Sequence, residues 1–430
     1  MHRRNTSSHR FVDLPAEVLC LILDHLQPED LVALIQGGAV SASLLTPIHC
    51  SNRRNDDGNT ILHILARQQR WEWMDSIVSK CPDISTKNHN RETPLQIAVK
   101  YGSHATVDFL LSAGASVSAR CDRPDYNCTP LMLASRRGEQ AIIQTLIDRG
   151  AKVSDEDCTY MQAIHWAAME GHANAVQLLI DKGADVSALS LKGTPLHAAV
   201  DGNHLHVVQV ILRSGFDLSN LNPRGRRSLP VCDAVANGHV DIVKALLNVH
   251  PILHASTLDV YGIPCLHLAA SGGYKRMFKM FDLATNNEYD KTIVAEPWQE
   301  GEEERYNTIL QLLIQGGANV CQVTEEGALT ALHFAVMRPG RRAAELLINA
   351  GADISQRTSS GKSALMLASI TGNHDIYELL YHRRIMQQSD PKHKNLNPQN
   401  PPEVKPKPSF LRSGLKNRRV EHDHYLRWRT

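Results

Sequence analysis

Residues 194–204 read TPLHAAVDGNH, and this stretch decides the fold because its skeleton recurs along the chain. Related copies are RETPLQIAVKYG from Arg91, CTPLMLASRRG from Cys128 and MQAIHWAAMEGH from Met161. The position of Thr194 recurs at 60, 93, 129, 162, 194, 229, 264, 330 and 363. Successive gaps are 33, 36, 33, 32, 35, 35, 66 and 33 residues, so a unit of about 33 residues repeats and one gap is doubled.

Each unit predicts a pair of short helices. Thr194 suits the N-cap, and Pro195 suits the first helical position, where a missing N–H costs nothing. Leu196 and Ala198 then give the helix a narrow apolar face. About nine residues after the cap stands a residue type that tolerates a left-handed backbone and ends the helix: Gly102, Gly138, Gly171, Asn203, Gly238 and Gly273. A second apolar-patterned helix follows, as in AVQLLIDKGADV from Ala175.

The period and the T-P-L-H-x-A core resemble the ankyrin repeat family. The resemblance implies an all-α ankyrin-repeat solenoid of helix-turn-helix repeats with short hairpin tips, here over residues 57–384. Neither helix of a pair can bury its apolar face alone, so each repeat must stack on its neighbours. The function expected of such a surface is recognition of protein partners.

The histidines of these motifs fill recurring slots, which predicts a structural role. His63, His165, His197, His267 and His333 occupy one slot, and His172, His204 and His239 occupy another. A metal or catalytic set must converge on one point, whereas these positions are spread from repeat to repeat. We therefore expect no metal, no cofactor and no catalytic residues, and the chain also lacks G-x-S-x-G, H-E-x-x-H and phosphate-binding glycine motifs.

The doubled gap between residues 264 and 330 has two interpretations. The stretch TILQLLIQGGANV from Thr308 predicts a second helix with its terminating glycines. We favour one degenerate repeat at about 283–320 whose first helix has diverged. An insertion within a single repeat is the alternative.

The N-terminal segment has a different pattern, FVDLPAEVLCLILDHLQPEDLVALI over residues 11–35. It predicts two helices separated at Pro28, within a helical module at 11–50. The pattern L-P-x-E-V-L-x-x-I-L-x-x-L followed by D-L is similar to the opening of F-box motifs. That resemblance implies docking to the linker subunit of an SCF-type ubiquitin ligase through Leu14, Pro15, Glu17, Val18, Leu19, Ile22, Leu26 and Leu31. The alternative is a module that only caps the open end of the repeat stack.

Composition narrows the classes of partner and compartment. The formal net charge is +1 over 430 residues and hydrophobic residues make up 42%, which does not favour nucleic acid as a partner. No apolar stretch is long enough to span a bilayer, and the N-terminus does not read as a secretory signal, so we expect a monomeric cytoplasmic or nuclear protein without membrane contact. The nine cysteines include no C-x-x-C pair and favour reduced thiols. We expect disorder at 1–10 and in a basic, proline-rich tail at 385–430.

The surface expected to bind protein partners is the concave face of the repeats, formed by the hairpin tips and the ends of the first helices. Tyrosine and arginine contribute a large share of binding energy at interfaces. The expected residues are His89, Asn90, Lys100, Tyr101, Arg136, Arg137, Glu170, Asp201, Arg226, Arg227, Tyr261 and Arg338. Two functions remain open: a substrate receptor of an SCF-type ligase, and a ligase-independent scaffold.

Overall fold

The computed structural model describes residues 15–121, 127–216, 229–249, 258–259, 262–273, 275–277, 280, 284 and 298–389. The disorder expected at 1–10 lies outside these residues, as does the expected tail beyond residue 389. The chain divides into two units, residues 1–380 and 381–430. In the second unit the described residues, 381–389, form the end of a helix, so helical structure continues past the expected repeat boundary at 384.

The described residues of the repeat region form nine helix pairs whose first helices begin directly after the nine recurring cap positions. No extended strand occurs among these residues, only isolated antiparallel bridges at hairpin tips, such as Ser190 with Gly193. The pairs are α3 (Ile61–Gln68) with α4 (Trp71–Val78), α5 (Pro94–Tyr101) with α6 (His104–Ser112), α7 (Pro130–Arg137) with α8 (Gln140–Asp148), α9 (Ala163–Met169) with α10 (Ala173–Asp181), α11 (Pro195–Asp201) with α12 (Leu205–Arg213), α13 (Pro230–Ala236) with α14 (Val240–Val249), α15 (Cys265–Ser271) with α16 (Glu302–Gln315), α17 (Ala331–Met337) with α18 (Arg342–Asn349), and α19 (Ala364–Thr371) with α20 (His374–Ser389).

The pairs stack in chain order. Every first helix from α3 to α19 packs against the first helix of the next pair, and the second helices from α4 to α18 do the same. One continuous buried core runs from Leu23 to Leu380. The all-α repeat fold expected from the sequence is confirmed, and the apolar faces that a single pair could not bury are covered by its neighbours.

Helix α16, in the doubled gap, takes the position of a second helix in the stack. Helix α15 packs directly against α13 before it and α17 after it, while α16 packs on α15 and lies against both α14 and α18. Because α15 touches α17, no complete repeat stands between them. In the sequence, helical residues at 275–277, 280 and 284 stand between α15 and α16. The degenerate repeat expected at 283–320, with an insertion as its alternative, stays a prediction.

The N-terminal module lies against the first repeat. It contains α1 (Ala16–Leu23), α2 (Pro28–Gln36) and two short turns of helix at Ala42–Leu44 and Ile48–Asn52. Helix α2 packs on α3, and both short turns contact the first pair. His49 and Asp24 connect the last turn to the end of α1 through a 2.9 Å contact between Nε2 and Oδ1. The two helices expected at 11–35 are thus present, and the module covers one end of the stack.

One pair of cysteines departs from the expected reduced state. Cys232 in α13 and Cys265 in α15 form a disulfide across the contact between these first helices, with Cα atoms 5.4 Å apart. The expectation of reduced thiols is wrong for this pair, because stacking brings together two cysteines that are 33 residues apart in the sequence.

Candidate functional site

A pocket of about 390 Å³ lies where the second, third and fourth helix pairs meet. Helix α5 contributes to one side, α7 to the middle, and α9 with its C-cap Glu170 to the other side. The lining residues are Glu92, Lys100, Cys121, Cys128, Met132, Leu133, Arg136, Arg137, Trp166 and Glu170. We call this surface the groove pocket.

The floor of the groove pocket is apolar and held in place by the hairpin before α9. Trp166 and Met132 are buried in a small cluster separate from the main core. The indole Nε1–H of Trp166 donates to Asp157 Oδ2 at 3.2 Å. Asp157 also accepts from the backbone N–H groups of Thr159 and Met161 through Oδ1, at 2.7 and 2.9 Å. A single carboxylate therefore fixes both the hairpin and the aromatic floor.

The walls of the groove pocket carry charge. Arg136 lies 5.5 Å over the Trp166 ring and pairs with Glu170 at 3.3 Å between Nε and Oε1. Lys100 pairs with Glu92 at 3.1 Å on the opposite side. These side chains are largely exposed apart from Glu92, so each ion pair is weak and can be exchanged for a partner's charge. An aromatic and thioether floor beneath exchangeable charges suits an apolar side chain flanked by polar groups.

The structure brings four of the expected partner-binding residues together: Lys100, Arg136, Arg137 and Glu170. The hairpin residues His89 and Asn90 are exposed, Tyr101 is exposed beside Arg67, and Asp201 is half-buried. Three others lie outside the described residues: Arg226, Arg227 and Tyr261.

Arg338 does not lie on the surface and corrects the expected set. It is fully buried, donating from one NH group to Ala269 O at 3.2 Å and from the other to Asn307 Oδ1. Trp298, which precedes α16, lies over it, with the guanidinium 5.2 Å from the ring centroid. Burial lowers the pKa of Arg338 to about 10, while the charge of Glu303 opposes that shift. Its position after the motif alanines predicted an exposed side chain. The prediction failed because the residue that covers Arg338 comes from a different part of the chain.

Sequence reasoning missed the floor residues of the groove pocket. Met132 stands in the slot that histidine fills in several other copies, and Trp166 stands directly after that slot. One signal was available: no other motif copy carries tryptophan in the position after the motif histidine, where Trp166 stands. Cys121 precedes the quoted motif copy and Cys128 is its first residue, and the hydrogen bond from the Cys121 N–H to Cys128 O places both at the pocket.

The motif histidines are structural connectors. In His165, Nδ1 accepts from the backbone N–H of Gln162 at 3.1 Å, and Nε2–H points to Ala188 O and Gly193 O at 3.1 and 3.2 Å. The His63 and His333 rings make the same two kinds of contact, so each joins its own helix start to the hairpin that leads into the next repeat. His267 keeps only the contact from Nε2–H to Leu329 O, at 3.1 Å. Burial lowers the pKa to about 4 at His63, His165, His267 and His333.

Histidines of the second slot contact the preceding repeat, as His172 shows. His172 Nε2–H donates to Arg136 O at 3.0 Å, one repeat earlier. Its ring packs so closely on Gly138 that a Cβ there would stand 2.5 Å from ring atoms. The structural role expected of both histidine slots agrees with these contacts.

The expected ligase-docking residues divide between core and surface. Leu14 lies outside the described residues. Pro15, Glu17 and Val18 are exposed, Ile22 and Leu26 are half-buried, and Leu19 and Leu31 are buried inside the chain. Leu21, which the expected stripe omitted, is 63% exposed beside Val18 at 40%. The apolar stripe of α1 thus faces inward at Leu19 and Leu23, and a second apolar face points to solvent.

The described residues contain no group of three His, Cys, Asp or Glu side chains placed to hold a metal ion. Among the helices that the structure describes, none is long and apolar enough to cross a bilayer.

Comparison with known families agrees with the helix pairs and their stacking. A family model described as ankyrin repeats (3 copies) matches residues 31–121, 72–157, 153–222, 196–292 and 302–395. The chain belongs to the ankyrin repeat family. Recognition of protein partners is the role that ankyrin repeats imply, and the groove pocket lies on the repeats that the family model matches.

Two curated relatives resemble parts of the chain. The human 2-5A-dependent ribonuclease is 42% identical over 65 residues, which is 15% of this chain and 9% of the ribonuclease. A protein of Treponema pallidum (strain Nichols) described as ankyrin repeat-containing is 30% identical over 146 residues, 34% of this chain and 38% of that protein. The chain therefore spans less than half the length of either relative.

Among solved structures, similar chains include two ankyrin repeat domains. That of human ASB11 has a TM-score of 0.46 at 22% identity and covers 60% of this chain and 98% of its own. That of Bcl-3, described as a unique member of the IkappaB protein family, has a TM-score of 0.44 at 26% identity, with 52% and 98% covered.

Proposed function

We propose that this chain is a non-catalytic recognition protein that binds a segment of a protein partner in the groove pocket. The observation that carries the proposal is the pocket itself, an apolar floor of Met132 and Trp166 beneath the charges of Lys100, Arg136 and Glu170. A buried aromatic anchor surrounded by exchangeable polar contacts is the arrangement in which interface binding energy concentrates.

A photocrosslinking experiment tests the groove pocket against an equivalent position elsewhere. The photoreactive residue p-benzoylphenylalanine replaces Arg137, which lines the pocket, or Arg149 at the end of α8. The two arginines are a matched pair, with side chains 43% and 38% exposed and each in an ion pair with a carboxylate. We expect discrete adducts with cellular protein from position 137 that are absent from position 149. Identical adducts from both positions contradict the proposal.

We further propose that α1 docks the linker subunit of an SCF-type ubiquitin ligase, which makes the chain a substrate receptor. The F-box-like pattern of the sequence supports this, as does the exposed apolar pair Val18 and Leu21. Exposed leucine and valine on adjacent turns of one helix form an apolar patch that favours a protein partner.

The docking experiment uses exposed residues, because aspartate at the buried Leu19 would unfold the module whatever its function. The variant Val18→Asp with Leu21→Asp changes side chains that are 40% and 63% exposed. Its control, Leu189→Asp with Leu191→Asp on a hairpin of the repeats, changes side chains that are 46% and 64% exposed. We expect purified linker subunit to be retained by wild type and by the control, and lost from the α1 variant.

A ligase-independent scaffold is the second candidate, favoured by one contact. Helix α2 buries Leu31, Val32 and Ile35 and packs on α3, as a cap on the open end of a repeat stack must. Failure of wild type to retain the linker subunit, or retention by the Val18→Asp, Leu21→Asp variant, would support the scaffold and end the receptor proposal.

A further inference from the structure

The C-terminal ends of the first helices form a continuous row from α3 to α11. These helices pack in order, α3 on α5, α5 on α7, α7 on α9 and α9 on α11. The groove pocket joins the ends of α5, α7 and α9. On one side of it the Arg67 guanidinium, at the end of α3, lies 5.9 Å from the centroid of the Tyr101 ring. On the other side His204, just after α11, donates from Nε2–H to Met169 O at 2.9 Å. The row therefore continues beyond the pocket in both directions.

The charges along this row are segregated. The last turns of α3, α5 and α7 carry exposed cations: Arg67, Lys100, Arg136 and Arg137. The next two helices end in acids instead, with Glu170 exposed at the C-cap of α9 and Asp201 half-buried at the end of α11. One half of the row is thus cationic and the other half acidic, and the groove pocket lies where they meet.

Neighbouring carboxylates offset part of the cationic half. Glu92 pairs with Lys100 at 3.1 Å and Glu139 pairs with Arg137 at 3.4 Å. Arg136 and Glu170 form the pair at the boundary between the two halves. Apart from Glu92, every side chain in these pairs is at least 39% exposed. Water screens such pairs, so a charged group of a partner can replace one member at little cost.

We propose that the row binds an extended partner segment with one acidic and one basic half. The acidic half lies over the ends of α3, α5 and α7, an apolar residue fills the groove pocket, and the basic half lies over Glu170 and Asp201. This inference rests on the proposed function of the groove pocket and adds the charge order of the partner. The opposite placement would bring like charges together along the whole row.

The spacing of the helices sets the length of the segment. Packed helices lie about 8–10 Å apart and an extended chain advances about 3.3 Å per residue, so each helix of the row corresponds to about three partner residues. The four steps from α3 to α11 therefore correspond to about 10–12 residues.

Binding of synthetic peptides to the purified full chain, followed by fluorescence anisotropy, tests the charge order. The segregated peptide has about 12 residues, with an acidic block, a central Leu-Trp-Leu and a lysine block. Since a chain can lie in the row in either direction, it is made with the acidic block first and with the acidic block last. An isomer of the same composition alternates acids and lysines on both sides of the same centre.

We expect the tighter of the two segregated peptides to bind roughly tenfold or more tightly than the alternating isomer, since each exposed charge pair contributes up to about fivefold in affinity. The salt concentration is about 0.15 M, so that charges more than roughly 8 Å away are screened. Equal affinity for the segregated and alternating peptides overturns the proposal.

A charge reversal places the acidic block on the row. In Arg67→Glu with Lys100→Glu we expect the segregated peptide to bind roughly tenfold more weakly. A peptide with lysines in place of the acidic block should regain the lost affinity, which a misfolded chain could not produce. The control, Arg149→Glu with Lys182→Glu, makes the same charge change directly after α8 and α10, at side chains that are 38% and 33% exposed. An equal loss in the control, or no recovery with the lysine peptide, contradicts the placement.

Two results separate this proposal from the function of the pocket. If a peptide with the same centre and neutral flanks binds as tightly as the segregated peptide, the groove pocket remains a binding site and the charge order is wrong. If no peptide binds at ~1 mM while position 137 still gives its discrete adducts, the charge order is again the part that fails. Absence of those adducts ends the proposed function itself.

Discussion

The substitution His165→Gln should make the folded repeats less sensitive to acid while keeping the hydrogen bonds that the histidine makes. The chain supplies its own precedent, because Gln96 occupies the same slot in the second repeat. There Oε1 accepts from the backbone N–H of Thr93 at 2.9 Å, and Nε2–H donates to Ala119 O at 3.0 Å. These bonds reproduce those of His165, with a side chain that does not titrate.

The direction and size of the pH-dependent change in stability follow from the lowered pKa of His165. His165 has a pKa of about 4 when folded and its ordinary 6.5 when unfolded, because burial disfavours the imidazolium. Between these values the unfolded chain binds more protons, so stability is complete above pH 6.5 and falls as the pH drops toward 4. The loss per histidine is ~2 kcal/mol at pH 5 and approaches ~3 kcal/mol below pH 4.

Urea unfolding followed by tryptophan fluorescence checks this at pH 7.5 and pH 5.0, with Trp166 reporting next to the substituted position. We expect the free energy of unfolding of His165→Gln to match that of wild type within about 0.5 kcal/mol at pH 7.5. At pH 5.0 it should exceed the wild-type value by ~2 kcal/mol. The triple variant, which adds His63→Gln and His333→Gln, should gain more free energy of unfolding at pH 5.0 than the single variant. The reasoning is refuted if variant and wild type lose the same stability between the two pH values.

Three further changes test separate contacts. Pro264→Thr should stabilise the chain by ~1 kcal/mol, measured by thermal unfolding. The buried Nδ1 of His267 has no hydrogen-bond partner, because proline lacks the backbone N–H that other motif copies supply. A threonine at this position would supply that N–H. Gly138→Ala should lower the free energy of unfolding by ~3 kcal/mol in urea titrations, because the new Cβ would meet the His172 ring. Gly150→Ala is the control, with a similar positive φ but open space around it, and should lower that free energy by only ~1 kcal/mol. Trp298→Ala should lower the free energy of unfolding by ~3 kcal/mol, read as a lower urea midpoint. An unchanged midpoint would show that this side chain does not anchor the residues before α16.

Much of the repeat architecture could be predicted because its signals are local. Thr93 and Thr129 cap helices that start at the next residue, and the threonine, proline and left-handed glycine signals act within one turn of the residues they control. The role of the motif histidines followed from recurrence alone. Exposure of the N-terminal helix was only partly predictable, since Leu19 and Val18 are neighbours in sequence and differ only in which face α3 and the short turns cover.

The sequence by itself determined the period, the helix starts and ends, the all-α class and the kind of surface that results, because each depends on interactions within a few residues. Tertiary structure decided what lies across repeats: the packing of α16 against α14 and α18, the burial of Arg338 under Trp298, and the meeting of Cys121 and Cys128 with Trp166 at one pocket. These depend on the register in which one pair stacks on the next. That register is set by the summed burial of many side chains, and no short stretch of sequence records it.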